Sequence, residues 1–181
     1  MTPQVSGEAA TIVVIMGVSG VGKTTIGRLL SERLGWTFVE GDDLHPAANV
    51  QKMRRGEPLD DADRAPWLRA LRRRIDELAT TGRSAVVACS ALKAAYRDVL
   101  ARGRPELRFV WLVAPPERIV ERLRERRGHF MPAALLASQH ATLEPPDDAI
   151  RADATRSPEE IVTSICRALD PAPADRPVTP R

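Results

Sequence analysis

TIVVIMGVSGVGKT, residues 11–24, joins two patterns without a gap. Thr11–Met16 is a continuous apolar run, the pattern of a parallel strand buried on both faces. Gly17-Val18-Ser19-Gly20-Val21-Gly22-Lys23-Thr24 then fits G-x-x-x-x-G-K-[ST]. From Thr24 to Leu34, Ile26, Leu29, Leu30 and Leu34 recur at helical spacing, and Gly35 stops the run. Strand, glycine turn and helix together are the context this motif requires. The glycines let backbone N–H groups converge on phosphate oxygens, and the helix N-terminus adds partial positive charge. Lys23 is placed to reach the β- and γ-phosphates, and Thr24 to ligate Mg²⁺ through its hydroxyl. The run Gly17, Val18, Ser19, Gly20, Val21, Gly22, Lys23, Thr24 and Thr25 is therefore the candidate ATP-binding segment. A glycine-rich turn with an incidental lysine would need spacing and both flanking elements to coincide by chance. The motif says little about what receives the phosphate.

Working outward, strand and helix patterns alternate. Trp36–Glu40, Ser84–Cys89 and Leu107–Val113 read as further strands, and Ala149–Ala152 as a fifth, poorer one. Helices are expected from Pro46 to about Arg55, from Asp63 to about Thr80, from about Lys93 to Arg102, and from Pro116. Pro132–Ala137 is a short helical candidate. Ser157-Pro158-Glu159-Glu160 resembles a capping box opening a last helix. The alternation predicts an α/β fold with a mainly parallel sheet covered on both faces. Strand order does not follow from one sequence.

With 181 residues, 43% hydrophobic and 28% charged, the chain suits one domain with a sizeable core. The expected organisation is a flexible lead-in (1–10), one domain (11–170) and a disordered proline-rich tail (171–181). The lead-in lacks the basic start and apolar stretch of a secretory signal. No run approaches the roughly 18 apolar residues of a membrane span. Cys89 and Cys166 form no CxxC pair, and two buried thiols in a cytoplasmic protein is the plain expectation. The net charge of +3 is too mild to demand a nucleic-acid partner. The only lysines are Lys23, Lys52 and Lys93, and each falls in a segment that looks chemical on other grounds.

The acceptor question turns on VEGDDLHPAANVQKM, residues 39–53. In open α/β sheets, ligands sit beyond the carboxyl ends of the strands. Asp42, Asp43 and His45 leave the second strand at that edge. A carboxylate there could take the proton of an attacking hydroxyl, and Asp42 is the candidate base. On charge and position alone, capping of a turn explains Asp42 and Asp43 equally well. Ser90, at the end of the third strand, suits either the ligand edge or a helix cap. Lys93 suits the ligand side or a solvated helix. Asp61 and Asp63 read best as helix caps with Arg64 paired to them, and Trp67 as core.

Several blocks in order resemble the short gluconate kinases of the P-loop kinase superfamily. They are MGVSGVGKTT, EGDDLHPAANVQKMRRGEPLDDADRAPWL (Glu40 to Leu68), ACSALKAAYRDVL (Ala88 to Leu100) and RRGHFMPAALLASQHATLEPP (Arg126 to Pro146). The resemblance runs from Ile15 to about Pro145. It implies a P-loop NTPase fold like that of shikimate and nucleoside monophosphate kinases, with five strands and a mobile lid at about 124–140. It also implies transfer of the γ-phosphoryl group of ATP, with Mg²⁺, to the 6-hydroxyl of D-gluconate.

Carried over, Asp42 becomes the hydroxyl-orienting base, and His45, Arg54 and Arg97 become acceptor contacts. Ser90, Lys93, His129 and Gln139 join them on the acceptor side. Guanidinium groups suit a carboxylate, while acids and imidazole order hydroxyls. Arg122, Arg124, Arg126 and Arg127 cluster ahead of Gly128-His129-Phe130. Cations at a helix C-terminus account for one or two of them. The resemblance makes the rest part of the lid, with Arg122 and Arg126 toward ATP and Arg126 catalytic. Helical phase alone does not choose between Arg126 and Arg127. No aspartate of the Walker-B kind follows the third strand, so Mg²⁺ is expected to rest on Thr24, phosphates and water, with Asp42 farther out. Related kinases suggest a homodimer. Two competing readings are a kinase for another small acid or a nucleotide, and an ATP-switched nucleic-acid module. Dispersed arginines and few aromatics argue against the latter.

Overall fold

The computed structural model describes residues 10–125 and 133–169. The expected lead-in up to residue 9, the tail from 171, and Arg126, Arg127, Gly128, His129 and Phe130 lie outside them. Among the described residues, five strands form one sheet: β1 (Ile12–Met16), β2 (Thr37–Glu40), β3 (Ala85–Ala88), β4 (Leu107–Val113) and β5 (Ile150–Asp153). Their order is β2-β3-β1-β4-β5, and every neighbouring pair is parallel. β1 is thus the middle strand, and the chain beyond its carboxyl end emerges at the centre of the sheet edge where ligands bind in this architecture.

Period-two alternation along β1 splits the core. Val13 and Ile15 face α1 (Lys23–Leu34), α5 (Pro116–Glu125) and α7 (Pro158–Leu169), packing in one cluster with Ile26, Leu30, Ile119 and Ile165. Ile12, Val14 and Met16 face the opposite layer, with Trp67, Leu71 and Ile75 of α3 (Asp61–Thr80) and Leu100 of α4 (Ala94–Ala101). All five β1 side chains are fully buried. Burial of each such aliphatic contributes about 1.5–3 kcal/mol, which is why the apolar run is continuous rather than alternating.

Three boundaries differ from expectation for identifiable reasons. α3 begins at Asp61, not Asp63, because Asp60 is the N-cap: its carboxylate accepts from Asp63 N at 2.8 Å, and Asp63 accepts from Asp60 N at 3.0 Å. The helix start is a reciprocal capping box built from two aspartates. α4 begins at Ala94, where Glu144 accepts from the backbone N–H at 2.6 Å, so Ser90 does not cap it. α6 spans Ala133–Thr142, beyond the expected end at Ala137. The Ser157/Glu160 capping box before α7 is present as predicted. α2 (Ala47–Arg54) completes the set. Cys89 is buried, but Cys166 is only partly so, which corrects the expectation of two buried thiols. Among the described residues no helix is long and apolar enough to cross a membrane.

Candidate active site

The phosphate loop hangs between β1 and α1. Gly17, Gly20 and Gly22 have φ of 142°, 80° and 112°, a region that L side chains rarely enter, so the glycine spacing is a backbone requirement. Gly17 N donates to Ser90 O at 3.3 Å, tying the loop to the end of β3. Lys23 Nζ curls back to donate to Val18 O at 3.1 Å. Val18 and Val21 point their side chains into the core, leaving only their backbones for a ligand. On the far side, Ser19 N donates to Gln139 Oε1 at 2.7 Å and Gln139 Nε2 donates to Ser19 Oγ at 3.0 Å. Gln139, expected as an acceptor contact, is engaged by the phosphate loop and anchors α6 to it.

β2 ends in Glu40, and a single 3-10 turn, Gly41–Leu44, follows. A Cβ on residue 41 would lie 2.3 Å from Ala88 O, so only glycine lets this turn approach β3. That approach holds Asp42 at the sheet edge. Trp67 Nε1 donates to Gly41 O at 2.7 Å, and the His45 ring stacks on Trp67 with centroids 4.4 Å apart and planes 10° apart. Trp67 is core, as expected, and is also the wall against which His45 lies. Burial holds the His45 pKa below its ordinary value; Asp42 acts against this and Arg64 with it.

Phosphate loop and acidic turn open into one cleft of about 910 Å³. It brings together Lys23, Thr24, Asp42, His45, Arg54, Ser90, Lys93 and Gln139 from the expected site residues. That volume lies at the upper end of small-molecule pockets, which run to roughly 1,000 Å³. Asp61, Arg64 and Tyr96 also line it.

Lys93 Nζ donates to both carboxylate oxygens of Asp61, at 2.8 and 2.9 Å, and Tyr96 OH donates to Asp61 as well. These hydrogen bonds, first that from Lys93, pull the Asp61 pKa down, and the Asp61 bond raises that of Lys93. Asp61 is therefore a partner of Lys93 in the cleft, not the helix cap. Lys52 donates to Asp63 at 2.8 and 3.0 Å, pinning the capping box, and does not line the cleft. Arg64 was expected to pair with Asp61 and Asp63; instead its guanidinium lies 5.7 Å from the Tyr96 ring centroid, with no carboxylate partner among the described residues.

Two expected contacts sit elsewhere. Arg97 is buried, and its Nη1 donates to Ala91 O and Leu92 O at 3.1 and 3.2 Å. Arg122 donates to Val21 O at 3.3 Å and to Ala154 O at 2.5 Å, bracing the phosphate loop from behind. Neither lines the cleft.

The sequence reading missed Glu40. Its Oε2 accepts from Thr24 Oγ1 at 2.7 Å. With the hydroxyl proton turned toward Glu40, the oxygen lone pairs of Thr24 are available to a hard cation, a donor set that fits Mg²⁺. Among the described residues no group of three or more His, Cys, Asp or Glu could hold a metal ion. The signal was a carboxylate at the end of the second strand, two residues before Asp42.

The AAA domain family matches residues 12–146. The gluconokinase of Gluconobacter oxydans (strain 621H) is 48% identical over 157 residues, covering 85% of this chain and 88% of that protein. The thermosensitive gluconokinase of Escherichia coli (strain K12) is 44% identical over 158 residues, covering 85% and 84%. A crystal structure of a gluconokinase from Sinorhizobium meliloti 1021 superposes with a TM-score of 0.80 at 42% identity, covering 89% of this chain and 91% of that one. Shikimate kinase from Aquifex aeolicus vf5, at 20% identity and a TM-score of 0.57, covers 88% and 96% and shares the fold.

Proposed function

The chain belongs to the gluconokinase family, and on that premise we propose that its cleft transfers the γ-phosphoryl group of ATP to the 6-hydroxyl of D-gluconate, yielding 6-phospho-D-gluconate and ADP. The observation that carries this reading is the single cleft shared by Lys23 and Thr24 on one side and Asp42, His45, Arg54 and Arg64 on the other. A triphosphate cradle alone would serve any P-loop protein. The second wall offers a carboxylate for a hydroxyl proton and guanidinium groups for an acid.

The roles follow from chemistry. Loop N–H groups and Lys23 hold the β- and γ-phosphates in line. Asp42 accepts the proton of the 6-hydroxyl as its oxygen bonds to the γ-phosphorus and the bond to the ADP oxygen breaks. Mg²⁺, when bound, neutralises charge on the β- and γ-oxygens. Thr24 is the residue that would hold it, oriented by Glu40. Lys93 already has Asp61 as counter-ion, so the gluconate carboxylate falls to Arg64 and Arg54, which have no carboxylate partner among the described residues. The roles that the family resemblance gives Arg126 and His129 fall on residues outside those described. The reaction belongs to a cytoplasmic enzyme of sugar-acid breakdown.

A coupled ADP-release assay across gluconate, shikimate and nucleoside monophosphates tests this. Gluconate is expected to give by far the highest kcat/KM, and no rate above background with gluconate would refute the assignment.

A further inference from the structure

Asn49 is buried on α2, 4% exposed, beside the cleft rather than in it. Its Nδ2 lies 2.7 Å from Asp63 O and 3.3 Å from His45 Nδ1. Asp63 O is a backbone carbonyl and can only accept, so the amide group beside it must be the NH₂ and not the oxygen. With one amide hydrogen on Asp63 O, the other is directed at His45 Nδ1. That nitrogen must then present its lone pair, and in a neutral imidazole the proton sits on Nε2.

Two contacts fix where the ring lies, and its surroundings bear on its charge. Trp67 stacks on its face. The turn is closed by His45 N donating to Asp42 O at 3.2 Å, which fixes the backbone of residue 45. Burial lowers the pKa of the ring below its ordinary value; of the charged groups facing it, Asp42 from the turn acts against this and Arg64 from α3 with it, so the net shift favours the neutral imidazole. Nε2 has no protein partner among the described residues.

We infer that Asn49 is a positioning residue that locks His45 as the Nε2–H tautomer, making it a neutral hydrogen-bond donor to an acceptor oxygen and not a base. An imidazole whose open nitrogen already carries hydrogen cannot take the proton of the attacking hydroxyl. The two side chains of the turn thus divide the work: His45 donates to an oxygen lone pair of the sugar acid, and Asp42 receives the proton. The kinetic consequence rests on gluconate being the acceptor; the tautomer does not.

The test is a long-range ¹H–¹⁵N spectrum of the full-length enzyme labelled at histidine, at pH 7.5 without substrate. The His45 signals are assigned by their loss in His45→Gln. A protonated Nε2 and a bare Nδ1 are expected; a protonated Nδ1 or an imidazolium would overturn the inference. In Asn49→Asp the carboxylate can only accept, so the signals should move to the Nδ1–H form or the imidazolium, and an unchanged Nε2–H pattern would count against Asn49 as the cause. In Asn49→Ala, KM for gluconate should rise about 3- to 10-fold, the worth of one neutral hydrogen bond, with KM for ATP within about twofold. An unchanged gluconate KM would remove the proposed role. Should either variant fail to fold, the wild-type spectrum still decides the tautomer. A wild-type enzyme that ignored gluconate would refute the substrate and leave the spectrum standing.

Discussion

Arg97 Nη1 donates to Ala91 O at 3.1 Å, and Ala91 is the only non-glycine residue with positive φ, 43°, among the described residues. The left-handed region costs an L-residue about 1–2 kcal/mol. Ala91 lies between Ser90 and Lys93, both lining the cleft, so the strained turn is what aims them there. A buried guanidinium bonded to Ala91 O and Leu92 O holds the turn shut.

Arg97→Met keeps bulk and removes both donors. The lost carbonyl partners should cost about 2 kcal/mol, lowering Tm by roughly 4–8 °C for a domain of this size. Thermal unfolding checks this. A large rise in gluconate KM at unchanged Tm would instead restore Arg97 as a direct substrate contact.

Arg97 also shows where sequence reasoning runs short. β1, the phosphate loop and α1 were legible because a motif, an apolar run and a helical period coincide within residues 11–34. That Asp42 and His45 line the cleft was legible only with the family resemblance, since their place at the sheet edge left a capped turn equally open. Arg97, Arg122 and Gln139 were not, since whether a cation or amide meets a ligand or a backbone carbonyl depends on packing between distant segments. Gln139 and Ser19 are 120 residues apart. Glu40 was not legible because the motif rule expects a carboxylate after β3, while the one that bonds to Thr24 comes from the end of β2.

Lys23→Ala removes the ammonium beside the phosphate loop, and turnover should vanish. Asp42→Asn keeps shape but cannot accept a proton. Its kcat should fall about 10²–10⁴-fold with ATP affinity nearly intact. Steady-state kinetics with a separate nucleotide titration distinguish the two, and near-normal kcat in Asp42→Asn would refute the base assignment.

Glu40→Gln leaves the site's size unchanged but lets residue 40 donate as well as accept, loosening the orientation of Thr24. Partners that orient metal ligands commonly govern affinity by 10–100-fold. The Mg²⁺ concentration for half-maximal rate should rise by about tenfold or more at fixed ATP. An unchanged Mg²⁺ titration would confine the Thr24–Glu40 bond to the folded scaffold.

Arg64→Ala removes a guanidinium that has no carboxylate partner among the described residues. If it holds the acid, KM for gluconate should rise about 10- to 100-fold, the range for a charge-assisted hydrogen bond, while KM for ATP stays level. Lys93→Ala should raise it less, because Asp61 already neutralises that ammonium. The reverse ranking would move the carboxylate to Lys93.

Asp61 makes the Lys93 pairing pH-dependent. Its folded pKa is lowered, first by the Lys93 hydrogen bond and then by Tyr96. A carboxyl lowered on folding contributes stability above its ordinary value near 4, and that contribution is lost as pH falls through the lower folded value. Wild-type Tm should therefore decline below about pH 4. Asp61→Asn should lower Tm at neutral pH and show a shallower acid decline, because the amide has no proton to gain. The carboxylate is exposed, so the effect on Tm should be small and weaken with salt, as expected for a screened pair. Parallel Tm–pH curves for the two proteins would mean that the acid response arises at other carboxylates, such as Asp63 beside Lys52.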